Sequence, residues 1–301
     1  MTVQLSHLDK VFFPGDGITK GDLVSYYQEM APHLLGYLRD RPLVLDRYPD
    51  GITGQRIVQK NAGKHFPDWV RRTEVGKQGG SVCHVIADQP DTLVYLANQG
   101  TVEFHIFLSR VTALDLPDQL VFDLDPPSGD RFDDVRRHAL HLRDLLEDEL
   151  GLTTYVKTTG GKGLHVHVPL RPAEDFDAVR GFAREVADLL SGRYPDELTV
   201  EQRKEQRGQR LYLDIMRNAY AQTVVAPYTV RARPGATVAT PLEWDEVADA
   251  GLGPRQFTIG SIAARLERSA DPWATMARHR RGLAAARRRL SRLGSDGPVR
   301  R

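Results

Sequence analysis

The sequence predicts an α+β fold of mixed, mostly antiparallel sheets with flanking helices. Short β-like runs and amphipathic helical stretches intermingle along the chain without the strict strand–helix–strand alternation of a parallel sheet. In addition, 301 residues with 41% hydrophobic content supply a sizeable core, and no Pro/Gly/Ser-rich linker divides the body.

The elements follow in chain order. Thr19-Lys20-Gly21-Asp22 reads as a capping box, and Leu23, Tyr26, Tyr27, Met30, Leu34 and Leu38 recur behind it at helical spacing, which predicts a helix over 20–38. Strands are expected over 43–48, 82–87 and 102–108, with a short helix over 92–98. Residues 120–127 read as a buried strand that Pro126 terminates. The stretch 132–150 places Val135, Leu142, Leu145 and Leu146 on one helical face, and Gly151 closes it. Strands over 154–157 and 164–170 flank a Gly-rich turn at 158–163. A helix over 176–190, a strand over 210–216 and an amphipathic helix over 259–266 complete the body.

Composition excludes several classes. Disordered, collagenous and coiled-coil chains do not have this balance of residues, and neither an apolar span nor a signal-peptide core is visible. The single cysteine, Cys83, rules out an internal disulfide framework and a cysteine-paired zinc ribbon, and a cytoplasmic setting is expected. The net charge of +1 conceals an uneven distribution. Between Arg278 and Arg301, nine arginines face the single acid Asp296 and give +8, which leaves −7 for residues 1–277. A second basic stretch, 203–233, carries +5, from Arg203, Lys204, Arg207, Arg210, Arg217, Arg231 and Arg233 against Glu205 and Asp214. Such runs are ordinarily solvated faces, but they are also the footprint of a polyanionic partner.

Asp123 and Asp125 are the strongest chemical signal. Residues i and i+2 of a strand share a face, so two carboxylates in an otherwise apolar run either reach solvent at the strand end or hold metal side by side. Asp214, in Leu211-Tyr212-Leu213-Asp214-Ile215, is a candidate third carboxylate. Two acids from one strand and a third from another are a common way to hold two divalent ions for phosphoryl transfer. His165 and His167 alternate in the same way, as strand histidines or as a zinc-type pair. The preceding Thr159-Gly160-Gly161-Lys162-Gly163 offers a hydroxyl, backbone amides and a cation suited to phosphate oxygens, although it lacks Walker spacing. On position alone His105 reads as a core histidine, and Lys10 and Lys20 as surface lysines.

Taken together, Val121-Phe122-Asp123-Leu124-Asp125-Pro126, Thr159-Gly160-Gly161-Lys162-Gly163-Leu164-His165, Leu211-Tyr212-Leu213-Asp214-Ile215 and Val225-Ala226-Pro227-Tyr228-Thr229-Val230-Arg231-Ala232-Arg233 resemble the polymerase domain of bacterial DNA ligase D. This is a primase-polymerase of the archaeo-eukaryotic primase superfamily, with an RRM-like catalytic core, that serves non-homologous end joining. The resemblance runs over about 8–266 in the family's order.

It implies a template-directed nucleotidyltransferase acting on DNA with gaps, overhangs or double-strand breaks. Two Mn²⁺ or Mg²⁺ ions would be held by Asp123, Asp125 and Asp214. The nucleotide, an NTP or dNTP with ribonucleotides preferred, would be bound by Arg47, His105, Thr159, Lys162, His165 and Arg207, and a downstream 5′-phosphate by Lys10 and Lys20. The expected organisation is a catalytic domain over 1–270, with an N-terminal part over about 1–115 and a catalytic sheet over about 116–270, followed by an Arg-rich basic tail over 271–301 that has no counterpart in the resemblance. That tail is expected to add salt-sensitive DNA affinity. A DNA ligase and a Ku-type end-binding protein would be separate chains, the setting nucleoid-associated, and no membrane is involved. Thr159 stands where many relatives have Ser, and Ile57 and Val58 where some carry template-stacking aromatics. Outside this resemblance, the Asp-x-Asp strand is also compatible with a metal-dependent phosphatase of the haloacid-dehalogenase type, the paired histidines with a zinc hydrolase, and the basic segments with a non-catalytic DNA-binding module.

Overall fold

A computed structural model describes residues 3–295. In chain order its elements are β1 (Val11–Phe13), β2 (Ile18–Thr19), α1 (Lys20–Glu29), α2 (Ala31–Leu38), β3 (Leu43–Arg47), β4 (Ile57–Gln59), β5 (Arg72–Lys77), β6 (Gly80–Val85), α3 (Pro90–Asn98), β7 (Thr101–Phe107) and β8 (Gln119–Asp125). These are followed by α4 (Phe132–Asp144), β9 (Tyr155–Thr158), β10 (Leu164–Pro169), α5 (Phe176–Arg193), β11 (Leu198–Thr199), α6 (Lys204–Arg207), β12 (Leu211–Asp214), β13 (Thr223–Val225), β14 (Pro241–Leu242), α7 (Trp244–Ala248), α8 (Ile262–Arg268) and α9 (Ala284–Ser295).

Two six-stranded sheets organise the molecule. One runs β11-β12-β8-β10-β9-β14. The other runs β13-β7-β3-β6-β5, with β4 added to β3. Every pairing is antiparallel except β11 with β12, as expected from the sequence. The sheets are not independent units. β13 comes from the second half of the chain, beyond the division expected near residue 115, yet it pairs with β7 of the first half. One hydrophobic cluster runs from Phe12 to Leu290 through both halves.

On β8, strand periodicity sends Leu120, Phe122 and Leu124 into that core under α4 and α5. The alternate residues Asp123 and Asp125 are left on the opposite face. Val135, Leu142 and Leu145 on the helical side, with Phe182 and Val186 of α5, close over the apolar face.

Several local expectations are corrected. The helix expected over 20–38 is two helices meeting at Met30, because Pro32 has no N–H to donate and occupies the first turn of α2. The Thr19 capping box is present, with the Thr19 hydroxyl accepting from the Asp22 amide at 3.1 Å and Asp22 Oδ2 accepting from the Thr19 amide at 2.8 Å. The helix over 132–150 is α-helical only to Asp144 and widens into a π-type turn to Glu149, after which Gly151 takes a φ of +73°. The helix expected over 259–266 is α8, starting at Ile262.

The arginine-rich end also packs on the body. Trp273, Met276, Leu283, Ala286 and Leu290 are buried, and α9 lies against α5, where Arg287 donates to Glu174 at 2.8 Å and stacks over Phe182. Asp296, Arg300 and Arg301 lie outside the described residues. Among the described residues no helix is long and apolar enough to cross a membrane.

Because Leu290 is buried in the seam between α5 and α9, Leu290→Ala should lower the free energy of unfolding by about 2–3 kcal/mol. Urea denaturation followed by circular dichroism measures it. A change below about 0.5 kcal/mol would mean that α9 does not dock as described.

Candidate active site

The register of the catalytic sheet builds the site. β12 pairs with β8 so that Asp214 stands opposite Asp123, β10 pairs with β8 so that His165 stands opposite Asp123, and β9 pairs with β10 so that Lys157 stands opposite His165. Directly paired residues on neighbouring strands present their side chains on the same face. Asp214, Asp123, His165 and Lys157 therefore form one row across four strands, with Asp125 two residues further along β8.

The row opens into a cleft of about 610 Å³ between the two sheets. Asp123, Asp125, Thr159, Lys162 and His165 lie on one wall, and Asp46, Glu103, His105, Arg56 and Arg231 on the other.

Electrostatics follow from burial. Asp123 is pushed above the usual carboxylate range by desolvation, against the pull of Arg217, Lys157, Arg231 and Lys162. Asp214 is raised by burial and by the charge of Asp123, while its Oδ1 accepts from the Met216 amide at 2.7 Å and the Tyr212 hydroxyl at 3.2 Å. His165 is pushed well down by burial and then by Lys157, Arg217 and Arg231, which favours a neutral imidazole. Its Nε2 lies 3.5 Å from Asp123 Oδ2. Lys157 is fully buried, its amine is driven well down by that burial, and among the described residues its Nζ has no hydrogen-bond partner. His167 does not share the cleft with His165. It is buried against Trp273, with Nδ1 2.9 Å from Gln119 Oε1.

The Gly-rich turn is held closely. Thr159 Oγ1 donates to the Gly163 carbonyl at 3.1 Å and accepts from the Gly161 amide at 3.2 Å. Gly160 has a φ of +66°, and a Cβ at Gly163 would fall on the Leu124 carbonyl oxygen, so the turn lies flush against the end of β8. Lys162 reaches over that end, donating to the Pro126 carbonyl at 2.7 Å and standing 3.2 Å from Asp125 Oδ1. Arg207, on α6, stacks 3.7 Å over the Tyr212 ring and approaches Asp125 Oδ2 at 3.9 Å.

The structure thus brings Asp123, Asp125, Thr159, Lys162, His165 and His105 onto the wall of one cleft, with Asp214 opposite Asp123 in the ladder and Arg207 beside Asp125. Arg47 does not join them. It is one residue out of phase with Asp46 on β3, and it donates to the Gln99 carbonyl at 2.9 and 2.7 Å and to Gln59 at 2.9 Å. Lys10 and Lys20 are brought together elsewhere by the β1–β2 hairpin. Lys10 Nζ donates to the Pro49 carbonyl and to Asp50, both at 2.7 Å, and the largely buried Lys20 donates to the Ser6 carbonyl at 2.5 Å. Ile57 and Val58 are exposed on β4, and Val58 lies on the cleft wall.

Sequence reasoning missed the network opposite the carboxylates. His105 Nε2 lies 3.1 Å from Glu103 and 3.4 Å from Asp46. Arg56 donates to Asp46 at 3.0 and 2.5 Å, and Arg231 Nε stands 3.1 Å from Glu103 while its Nη1 donates to the Thr159 carbonyl. Asp46, Glu103 and His105 bring ligand atoms within 4.8 Å of one another, as a cation site would, but both carboxylates already receive guanidinium groups. Burial opposes charge on His105, and Asp46 and Glu103 outweigh it and raise its pKa. Glu103 is pulled down to about 2, because His105 and Arg231 overcome the cost of its burial. The alternation of Glu103 and His105 on a buried strand was the available signal, of the same kind as Asp123 and Asp125.

Comparison with known proteins agrees with this arrangement. Residues 19–273 match the family model described as LigD, primase-polymerase domain. The chain is 34% identical over 272 residues to the bifunctional non-homologous end joining protein LigD of Bacillus subtilis, covering 90% of this chain and 43% of that protein. It is 32% identical over 289 residues to the multifunctional LigD of Pseudomonas aeruginosa, covering 95% of this chain and 34% of that protein, so it spans less than half the length of these relatives. Among solved structures, the polymerase domain of Mycobacterium tuberculosis ligase D in complex with DNA superposes with a TM-score of 0.87 at 31% identity, over 92% of this chain and 98% of that one. The order of the motifs, the geometry of the cleft and these matches lead to one conclusion: the chain belongs to the LigD primase-polymerase domain family.

Proposed function

We propose that this chain is a template-directed, metal-dependent nucleotidyltransferase that adds nucleotides to DNA ends or short gaps during repair. The observation that carries the reading is the cross-strand row, which sets Asp123 and Asp214 side by side with Asp125 at the cleft mouth. Three carboxylate oxygen donors suit Mg²⁺ or Mn²⁺. Their raised or cation-compensated state, with Lys162 beside Asp125 and Arg217 4.0 Å from Asp214, fits a site that divalent ions complete. When bound, such ions would activate the attacking 3′-hydroxyl and neutralise charge on the triphosphate.

In this reading the chain's own groups bind and orient. Thr159, the amides of its turn and Lys162 grip phosphate oxygens, Arg207 adds a guanidinium fixed by stacking, and neutral His165 offers a hydrogen bond at Asp123. His105, held by two carboxylates, faces the nucleotide from the other wall. Lys10 and Lys20 form the cation pair for a downstream 5′-phosphate, and a ligase and an end-binding protein act as partners. Arg47 supports the wall through Gln99 instead of touching nucleotide.

Three outcomes are expected. Asp123→Asn should reduce primer extension in Mn²⁺ on the order of a thousandfold while leaving DNA binding within a factor of about two, because several kcal/mol of charge stabilisation is lost and no DNA contact is. A variant that extends normally would exclude the two-metal reading.

Lys10→Ala should remove the stimulation that a downstream 5′-phosphate gives to filling a one-nucleotide gap, with extension on the unphosphorylated gap unchanged. Equal stimulation in both proteins would dismiss the role of the lysine pair.

The folded pKa of His105 is raised, so its contribution to stability is complete below about pH 6.5 and is lost as pH rises through the raised value. His105→Gln should therefore show a smaller fall in stability between pH 6.5 and 9 than the parent chain. Parallel denaturation curves for the two proteins would refute the charged network. Glu103 acts in the opposite range, its contribution being present above about pH 4.5 and lost as pH falls through about 2.

A further inference from the structure

A second cavity, of about 380 Å³, lies at the other end of the sheet from the carboxylates. Gln119 and Pro169 are paired at the ends of β8 and β10 that lie furthest from Asp125 and Leu164, and both line it. The remaining wall is contributed by α2, by Arg41 and Arg110, and by the segment from Asp271 to Arg280, much of which follows the last residue of the family match. None of its residues takes part in the proposed reaction.

Its chemistry is uneven in a specific way. Asp118 Oδ2 is shared by three guanidinium groups, from Arg41 at 2.8 Å, Arg110 at 2.9 Å and Arg280 at 3.3 Å. Arg41 and Asp118 are buried and ion-paired at 2.7 Å, whereas Arg110 and Arg280 are part-exposed at the rim. Asp271, the other acid of the wall, is engaged by the Tyr37 hydroxyl at 2.6 Å and the Trp273 amide at 3.0 Å. Three guanidiniums against two carboxylates leave a positive surplus at the rim, which fits an anion.

The remaining lining includes Pro32, Gly36, Trp273, Ala274, Met276 and Ala277. Gly36 sits inside α2 between His33 and Tyr37, and a Cβ built on it would meet nothing within 4 Å. Glycine weakens a helix interior, and neither crowding nor a positive φ requires it here. The absent side chain leaves this stretch of helix bare in a cavity that Tyr37, Trp273 and Met276 also line. An aromatic lining, a basic rim and this volume together fit a mononucleotide.

We propose that this cavity is a second nucleotide site, one that binds a nucleoside monophosphate with its base over Gly36 and its phosphate between Arg110 and Arg280. It is separate from the catalytic cleft and independent of divalent metal.

Calorimetric titration of the full chain with AMP in EDTA, with adenosine and inorganic phosphate as separate probes, tests this. AMP is expected to bind with a stoichiometry of one and at least tenfold more tightly than either fragment. Arg280→Ala should weaken AMP at least tenfold, and Gly36→Leu, which favours the helix and fills the bare stretch, should abolish binding. Lys162→Ala, in the catalytic cleft, should leave it unchanged. The proposal is overturned if AMP does not bind, if adenosine binds as well as AMP, if both cavity variants bind like the parent, or if Lys162→Ala alone removes binding. Circular dichroism of each variant separates lost binding from lost fold, and Arg280→Ala, at a part-exposed side chain, keeps the test open if Gly36→Leu does not fold.

Discussion

The structure depends on a juxtaposition that the backbone ladder enforces against the preference of the side chains. Pairing β12 and β10 to either side of β8 places Asp214 and His165 directly against Asp123, on a face where burial makes every charge costly. Two carboxylates and two bases would not gather there spontaneously. They are held because the reverse faces of the same strands, with Leu124, Phe122, Val166 and Leu213, fill a core that admits no one-residue slip. The apolar side sets the register, and the register sets the site.

The surroundings of that row answer its charge in two ways. Lys162, Arg207 and Arg217 stand at or near contact distance from Asp125 and Asp214, with Lys162 held on the Pro126 carbonyl and Arg207 on Tyr212 and the carbonyls of Glu201 and Gln202. Lys157, by contrast, is fully buried. On the opposing wall the carboxylates are already paired, with Asp46 and Glu103 between Arg56, Arg231 and His105. The cleft therefore pairs a wall whose carboxylates are close-set with one whose carboxylates are already ion-paired.

Much of this was legible in the sequence, for physical reasons that can be named. A period of two in an apolar run made Asp123, Asp125 and Asp214 stand out, and the capping box at Thr19 and the antiparallel character of the sheets are local signals of the same kind. What was not legible depends on distant pairing. Asp46 and Glu103 are register partners on β3 and β7 although 57 residues apart, and Arg231 reaches Glu103 from a third segment. Arg47 stands next to Asp46 on β3, and in a strand a single residue is the difference between one face and the other. The docking of α9 was masked by composition: Leu283, Ala286 and Leu290 fall at helical spacing, but among so many arginines the segment reads as a charged tail. Pro32 carried the break at Met30 in plain view, within a periodicity that ran across it.

Arg231 also ties the two sheets together, with one end of its guanidinium on Glu103 and the other on the carbonyl of Thr159. The turn that would hold phosphate is thus tied through Arg231 to Glu103 of the opposite sheet. Losing either partner alone would strand a buried charge, a loss of about 3–5 kcal/mol where such pairs are broken. Glu103, on the wall opposite the carboxylates, thereby helps to fix the shape of the turn through a single guanidinium.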